Sequence, residues 1–218
     1  MTTSEHQTPD HRPPDEVANL VTHGIGFLLS VVASGYLMLL VVSGHQTRTI
    51  VACGVYCLTL VLLYGASTLS HAFHDLALRR LFRTLDQACI FLLIAGSFTP
   101  FAAIFLNHGW WWLLLLTMWL LAFAGVIFAM RRRNLSGLAK TSYGIMGWLP
   151  AISLSELYHC APHDMLIWIV VGGAFYSIGA IFLVLDQRVR YFHAIWHTFV
   201  IAGSIAHYVG VILYAAAN

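Results

Sequence analysis

The stretch LVTHGIGFLLSVVASGYLMLLVV runs from Leu20 to Val42 without an Asp, Glu, Lys or Arg. A helix needs about 20 apolar residues to cross the hydrocarbon core of a bilayer. This run is long enough. It is also continuous, whereas a lipid-spanning strand alternates apolar and polar positions, so a β-barrel is excluded. The same reading repeats along the chain, at Ile50–Ser70, Leu85–Leu106, Trp110–Met130, Leu138–Tyr158, Met165–Leu185 and His193–Ala215. The expected fold is an all-α integral membrane protein, a seven-transmembrane helix bundle. The fifth span is the weakest, diluted by Lys140, Thr141, Ser142, Pro150 and Glu156. Losing it would leave six spans and put both termini on one side.

Composition agrees. Apolar residues make up 59% of the 218 and charged residues only 9%, with a mean hydropathy of +0.78. A soluble domain carries roughly 25% charged residues. With 4 Cys the chain is no secreted disulfide scaffold, and a net charge of +2 gives no case for nucleic-acid binding. Residues 1–16 read as a mobile polar tail before a membrane domain over 17–218, with no cleaved signal peptide expected. With seven spans, Arg12, Arg79, Arg80, Arg83, Arg131, Arg132, Arg133, Lys140, Arg188 and Arg190 share one side, and Arg48 stands alone on the other. Basic loops stay cytoplasmic. The N-terminus is therefore expected inside and the C-terminus outside, in the plasma (inner) membrane. Pro100 and Pro150 are expected to kink spans three and five. Gly144, Gly147, the Gly172–Gly173 pair, and Gly203 with Gly210 offer small faces for close helix approach.

An ionisable side chain inside a span is costly, so each one needs an account. His193-Ala-Ile-Trp-His197 sets two imidazoles at i and i+4, on one helix face. His71 arrives at the same depth at the end of span two, with Ser67 one turn before it. Three histidines suit a zinc that keeps an open position, the arrangement of a catalytic site. A hydrogen-bonded helix contact is the competing account. Asp86, also near the cytoplasmic face, is placed to take a proton from the zinc's water. Glu16, Asn19 and His23, around the start of span one, are expected to brace the site.

These residues resemble the progestin and adipoQ receptor (PAQR) superfamily, and within it the bacterial haemolysin III branch. The resemblance rests on Ser67-x3-His71, Asp86 and His193-x3-His197, together with Glu16-x2-Asn19-x3-His23 and the run from Leu92 to Phe101. It implies zinc on His71, His193 and His197, with Ser67 and Asp86 close to the zinc-bound water. It also implies a membrane lipid as partner, since animal members are associated with hydrolysis of lipid amides. The bacterial branch is named for haemolytic activity and linked to membrane lipid homeostasis. Gln87 and Ser70 depart from the branch pattern without touching a ligand position.

Three functions stay open at this level. One is a zinc-dependent hydrolase acting on a lipid amide or ester near the cytoplasmic leaflet. The second is a pore-forming cytolysin, and the third a non-catalytic sensor of membrane composition with structural zinc. Glu156 and His207, both near the outer face, are expected to pair as a second polar layer. The oligomeric state is not encoded legibly.

Overall fold

A computed structural model describes residues 14–44, 46–131 and 137–216, and these are helical without a strand among them. Helix α1 spans Pro14–Val42, α2 Thr47–Ala72, α3 Leu76–Phe105 and α4 Trp112–Arg131. A shorter α5, Gly137–Trp148, leads through a 3-10 turn at Leu149–Ser153 into α6, Leu154–Cys160. Helix α7 follows at His163–Leu185, then α8 at Phe192–Gly210, which continues as a π turn over Val211–Ala215. Six helical segments are long and apolar enough to cross a membrane: α1 to α4, α7, and α8 with its π turn.

The fifth expected span is therefore not one helix. Pro150 has no amide hydrogen to donate and clashes with the preceding turn, and the chain answers with the 3-10 turn that divides α5 from α6. Pro100 behaves differently, since α3 runs through it unbroken. One further expectation shifts. Pro14, Asp15 and Glu16 already belong to α1, so the polar tail ends sooner than residue 16. Residues 1–13, with Arg12, and the arginines Arg132 and Arg133 lie outside the described residues.

Neighbours in sequence pack as neighbours in space: α1 on α2, α2 on α3, α3 on α4, and α7 on α8, with α8 closing back on α1. Helix α3 is the most enclosed. Between helices in lipid the packing comes from close fit rather than hydrophobic exclusion, which favours small residues at contacts. At Gly172 a Cβ would overlap the His207 ring, so α7 and α8 meet there at a distance only glycine permits. Gly144, Gly147 and Gly173 have nothing within 4 Å of a Cβ position and mark no such contact. Cys53, Cys57 and Cys89 are buried free thiols and Cys160 is an exposed one.

Two local devices fix the helix ends that matter for the site. Asp75 caps α3, accepting from the amides of Ala77 at 3.0 Å and Leu78 at 2.8 Å. Tyr191, just before α8, is held at φ 65, a left-handed conformation that costs a non-glycine residue roughly 1–2 kcal/mol. It sets the direction in which α8 starts, two residues before His193.

Candidate metal centre

Three helix ends and the first third of α3 meet at one end of the bundle: the start of α1, the end of α2 and the start of α8, with α3 alongside. The end of α2 delivers His71, and the first turns of α8 deliver His193 and His197. One ligand atom from each of these histidines lies within 4.8 Å of the others. The ring centroids stand 5.6 Å apart for His71 and His193, 5.4 Å for His71 and His197, and 4.5 Å for His193 and His197. Zinc holds nitrogen at about 2.0–2.1 Å, so tetrahedral ligation needs nitrogens about 3.4 Å apart. The observed ligand atoms, within 4.8 Å of one another, converge on the same volume.

The other nitrogen of each ring carries more information. His71 Nδ1 meets Glu16 Oε2 at 2.7 Å. His193 Nδ1 meets Asp186 Oδ2 at 3.0 Å. His197 Nδ1 meets Thr22 Oγ1 at 3.3 Å, and Thr22 gives its own proton to the Ala18 carbonyl at 2.8 Å. A carboxylate only accepts, so Nδ1 of His71 and of His193 carries the proton and Nε2 is left as the basic nitrogen in those two rings, while His197 Nδ1 faces a hydroxyl. Rings so held offer Nε2 to a metal, in the way carboxylates orient ligand histidines in metal sites. The residues present fit a zinc ion.

The acceptors are themselves anchored. Arg79 pairs with Glu16 through Oε1, and Arg83 lies 3.7 Å from the same oxygen. Lys140 donates to Asp186 Oδ1 at 3.0 Å and to the Leu183 carbonyl at 2.6 Å. Burial pushes the Asp186 carboxyl up, but the hydrogen bonds from His193 and Lys140 outweigh it and hold it at about 2. Asp186, Thr22 and the structural use of Lys140 were not among the residues picked from the sequence. An acid seven positions before His193 in a short loop was the available signal for Asp186.

Ser67 is buried one turn before His71, beside the Asp86 carboxyl, which is in turn within electrostatic reach of His193. His23 stacks on His197 with centroids 3.5 Å apart and planes 27° apart, and its edge meets Tyr64 at 5.2 Å. Both His23 ring nitrogens and Asn19 Oδ1 are buried without a hydrogen-bond partner. A buried polar atom left so costs about 1–3 kcal/mol.

The expected second layer does not form. Glu156 meets His108 Nε2 at 2.8 Å instead, while His207 Nε2 donates to the Ile169 carbonyl at 3.3 Å. The break between α5 and α6 turns Glu156 toward the α3–α4 connection, and the fit of His207 against Gly172 keeps it inside the α7–α8 contact.

A family model described as "Haemolysin-III related" matches residues 11–208. The chain is 40% identical over 205 residues to Hemolysin-3 of Bacillus cereus, covering 92% of this chain and 91% of that one. It is 34% identical to a Hemolysin-3 homolog of Bacillus subtilis (strain 168), covering 92% and 94%. It is 25% identical to the adiponectin receptor protein of Drosophila melanogaster, over 90% of this chain and 50% of the receptor.

Proposed function

The chain belongs to the haemolysin-III-related family, the bacterial branch of the PAQR proteins, and for this member we propose a zinc-dependent hydrolase of a lipid amide or ester bond. Family and apolar helices together make it a multi-pass protein of the bacterial plasma membrane. The proposal includes seven crossings, with Gly137–Cys160 as a broken seventh, the N-terminus inside and the C-terminus outside. That topology is supported by the one-sided basic residues. It sets the histidine layer at the cytoplasmic leaflet, where the ester and amide linkages of lipids lie, and membrane lipid homeostasis is the role that follows.

One observation carries the reading: a ligand atom from each of the three imidazoles lies within 4.8 Å of the others, while carboxylates hold Nδ1 of His71 and of His193. His71, His193 and His197 would hold the ion. Zinc so held supplies a Lewis acid that activates water and polarises a carbonyl. Glu16 and Asp186 keep the rings of His71 and His193 in the proton-on-Nδ1 form, and Thr22 positions the His197 ring. Asp86 takes the proton from the attacking water on its carboxylate oxygen, with the buried Ser67 hydroxyl beside it. The burial of His71 and His197, at 5% and 1% exposure, excludes bulk water.

The test is metal content of detergent-purified protein by elemental analysis, followed by lipid hydrolysis. Wild type is expected to hold about one zinc per chain and a His193→Ala/His197→Ala variant close to none. Asp86→Asn is expected to keep the metal and lose turnover. A folded wild type that takes up no zinc sinks the mechanism. Turnover undiminished in Asp86→Asn removes that residue's role. The relatives' name, Hemolysin-3, points to a pore instead. Continuous apolar burial around Tyr56, Phe101, Leu37 and Met118 favours the hydrolase over an open channel.

A further inference from the structure

Helix α2 ends at the histidine layer and begins at the opposite end of the bundle, where a cavity of about 360 Å³ lies against its first turn. Gln46, Arg48 and Thr49 line the cavity from α2, Phe105 and Asn107 from around the end of α3, and Cys160 from the end of α6. No Asp or Glu lines it. Glu156, one turn before Cys160, is taken up by His108 at 2.8 Å. A cation therefore finds no charge to hold it there, and an anion meets a guanidinium.

The donors at this spot are only partly spent. A helix start leaves its first amide hydrogens unbonded and carries a partial positive charge. The Ile50 amide donates to the Gln46 carbonyl at 3.2 Å, and the Gln46 side chain caps none of the amides ahead of it. Arg48 gives one hydrogen to the Ala103 carbonyl at 3.4 Å, out of the five that a guanidinium carries. Asn107 gives one of its two amide hydrogens to the Ile104 carbonyl at 2.9 Å. The Cys160 thiol is occupied with the Phe105 carbonyl at 3.1 Å.

Thr49 distinguishes this helix start from an ordinary one. It lines the cavity and is 5% exposed, yet its hydroxyl makes no hydrogen bond among the described residues. Threonines further along the helices return their proton to a carbonyl one turn back, as Thr59, Thr68 and Thr99 do at 2.9, 2.6 and 2.8 Å. Thr49 stands in the first turn, where the Gln46 carbonyl already accepts from Ile50. The cavity is the side left open to its hydroxyl. A buried hydroxyl without a partner is costly, and a ligand oxygen in the cavity removes that cost.

Height selects among anions. Trp110, Trp111 and Trp112 follow closely on Asn107, with the first two rings stacked at 4.5 Å and Trp110 and Trp112 exposed. Tryptophan gathers at the membrane–water boundary, the level of the lipid headgroups. The anionic group found at that level is phosphate.

We infer that this cavity binds a phosphate group, with Arg48 forked onto its oxygens and Thr49 and the free α2 amides donating beside it. A phospholipid headgroup and free inorganic phosphate present the same chemistry to the site. No residue of the histidine layer takes part, so the inference stands apart from the hydrolase reading.

The experiment titrates the full chain, purified in dodecyl maltoside, by calorimetry with inorganic phosphate and separately with dihexanoyl phosphatidylglycerol. Dihexanoylglycerol, the same chains without phosphate, is the control. At least one phosphate probe is expected to bind more tightly than the control. Arg48→Ala is expected to weaken that binding at least about 10-fold, because charge-assisted bonds are lost. Thr49→Val keeps the shape, removes the hydroxyl, and is expected to weaken it several-fold. Arg131→Ala, at the far end of α4, is expected to change nothing. Phosphatidylglycerol binding more tightly than phosphate identifies the headgroup as the source and the reverse identifies free phosphate; either upholds the site. Silence from both phosphate probes overturns the inference. So does phospholipid binding matched by the control while inorganic phosphate stays silent, or an equal loss in Arg131→Ala. Affinity unchanged in both Arg48→Ala and Thr49→Val overturns it too, and is what phosphate held at the histidine layer would give.

Discussion

The two ends of this bundle are both rich in histidine, and they do different things with it. At one end His71, His193 and His197 leave helix termini toward a shared interior point, each ring held by a partner from another element. At the other, His159 and His163 sit exposed on and after the short α6. His163 stacks on Tyr158 with centroids 4.4 Å apart and approaches its carbonyl at 3.2 Å, while His108 pairs with Glu156 at the surface. Among the described residues, the group of ligand atoms close enough for a metal is at the first end. Backbone strain divides the same way. The left-handed residue near the metal end is Tyr191, and the one at the far end is Gly109. A glycine adopts that conformation freely, so among the described residues it is the metal end that stores this strain, as functional sites often do. Histidine count does not make a site; burial, convergence and fixed tautomers do.

The comparison can be broken in steps, beginning with the largest effect. Zinc content should fall from about one per chain to near none in His193→Ala/His197→Ala, yet stay whole in His159→Ala/His163→Ala. Equal loss in both would erase the distinction between the two ends. Next, Asp186→Asn should weaken zinc about 10- to 100-fold in a chelator competition, because a second-layer partner orients its ligand. Lys140→Met should act in the same direction by less, and unchanged affinity in both would remove the lock on His193. Third, Tyr191→Gly should raise unfolding stability by about 1 kcal/mol while Gly109→Ala lowers it by a similar amount, measured by denaturation in detergent. Stability that falls in both variants would mean that Tyr191 carries no strain. The smallest effect should come from Glu156→Gln, whose half-exposed pair with His108 is worth less than about 1 kcal/mol. A larger loss would make the outer pair structural after all.

Much of the centre was legible in the chain. The i, i+4 spacing of His193 and His197 is a local property of a helix, and the depth of His71 and Asp86 follows from counting residues from the basic loops. Glu16 was placed near the site by its position at the start of span one, and it meets His71 across the bundle. Asp186 and Thr22 stayed hidden for different reasons. Asp186 sits in the α7–α8 loop, and what a loop carboxylate faces depends on the path of the chain. Thr22 is one polar residue in an apolar run, and its partner was fixed only by the rotation of α1 against α8. Glu156 and His207 fail as a pair for a related reason: counting residues gives depth in a membrane but not azimuth around the bundle.

By itself, the sequence determined that the chain lives in a bilayer as long apolar helices, that Pro150 would disturb the fifth, and which histidines share a helix face. Those are consequences of composition, of proline's missing amide hydrogen and of a 3.6-residue period, all of them local. Tertiary structure decided which nitrogen of His71 and of His193 is left for a metal, that Glu156 turns to His108, and that Gly26, Tyr64 and Ser204 line a cleft between α1 and α8. Those depend on how each helix is rotated about its own axis against its neighbours. That rotation is set by the summed fit of many contacts, and no short stretch of sequence carries it.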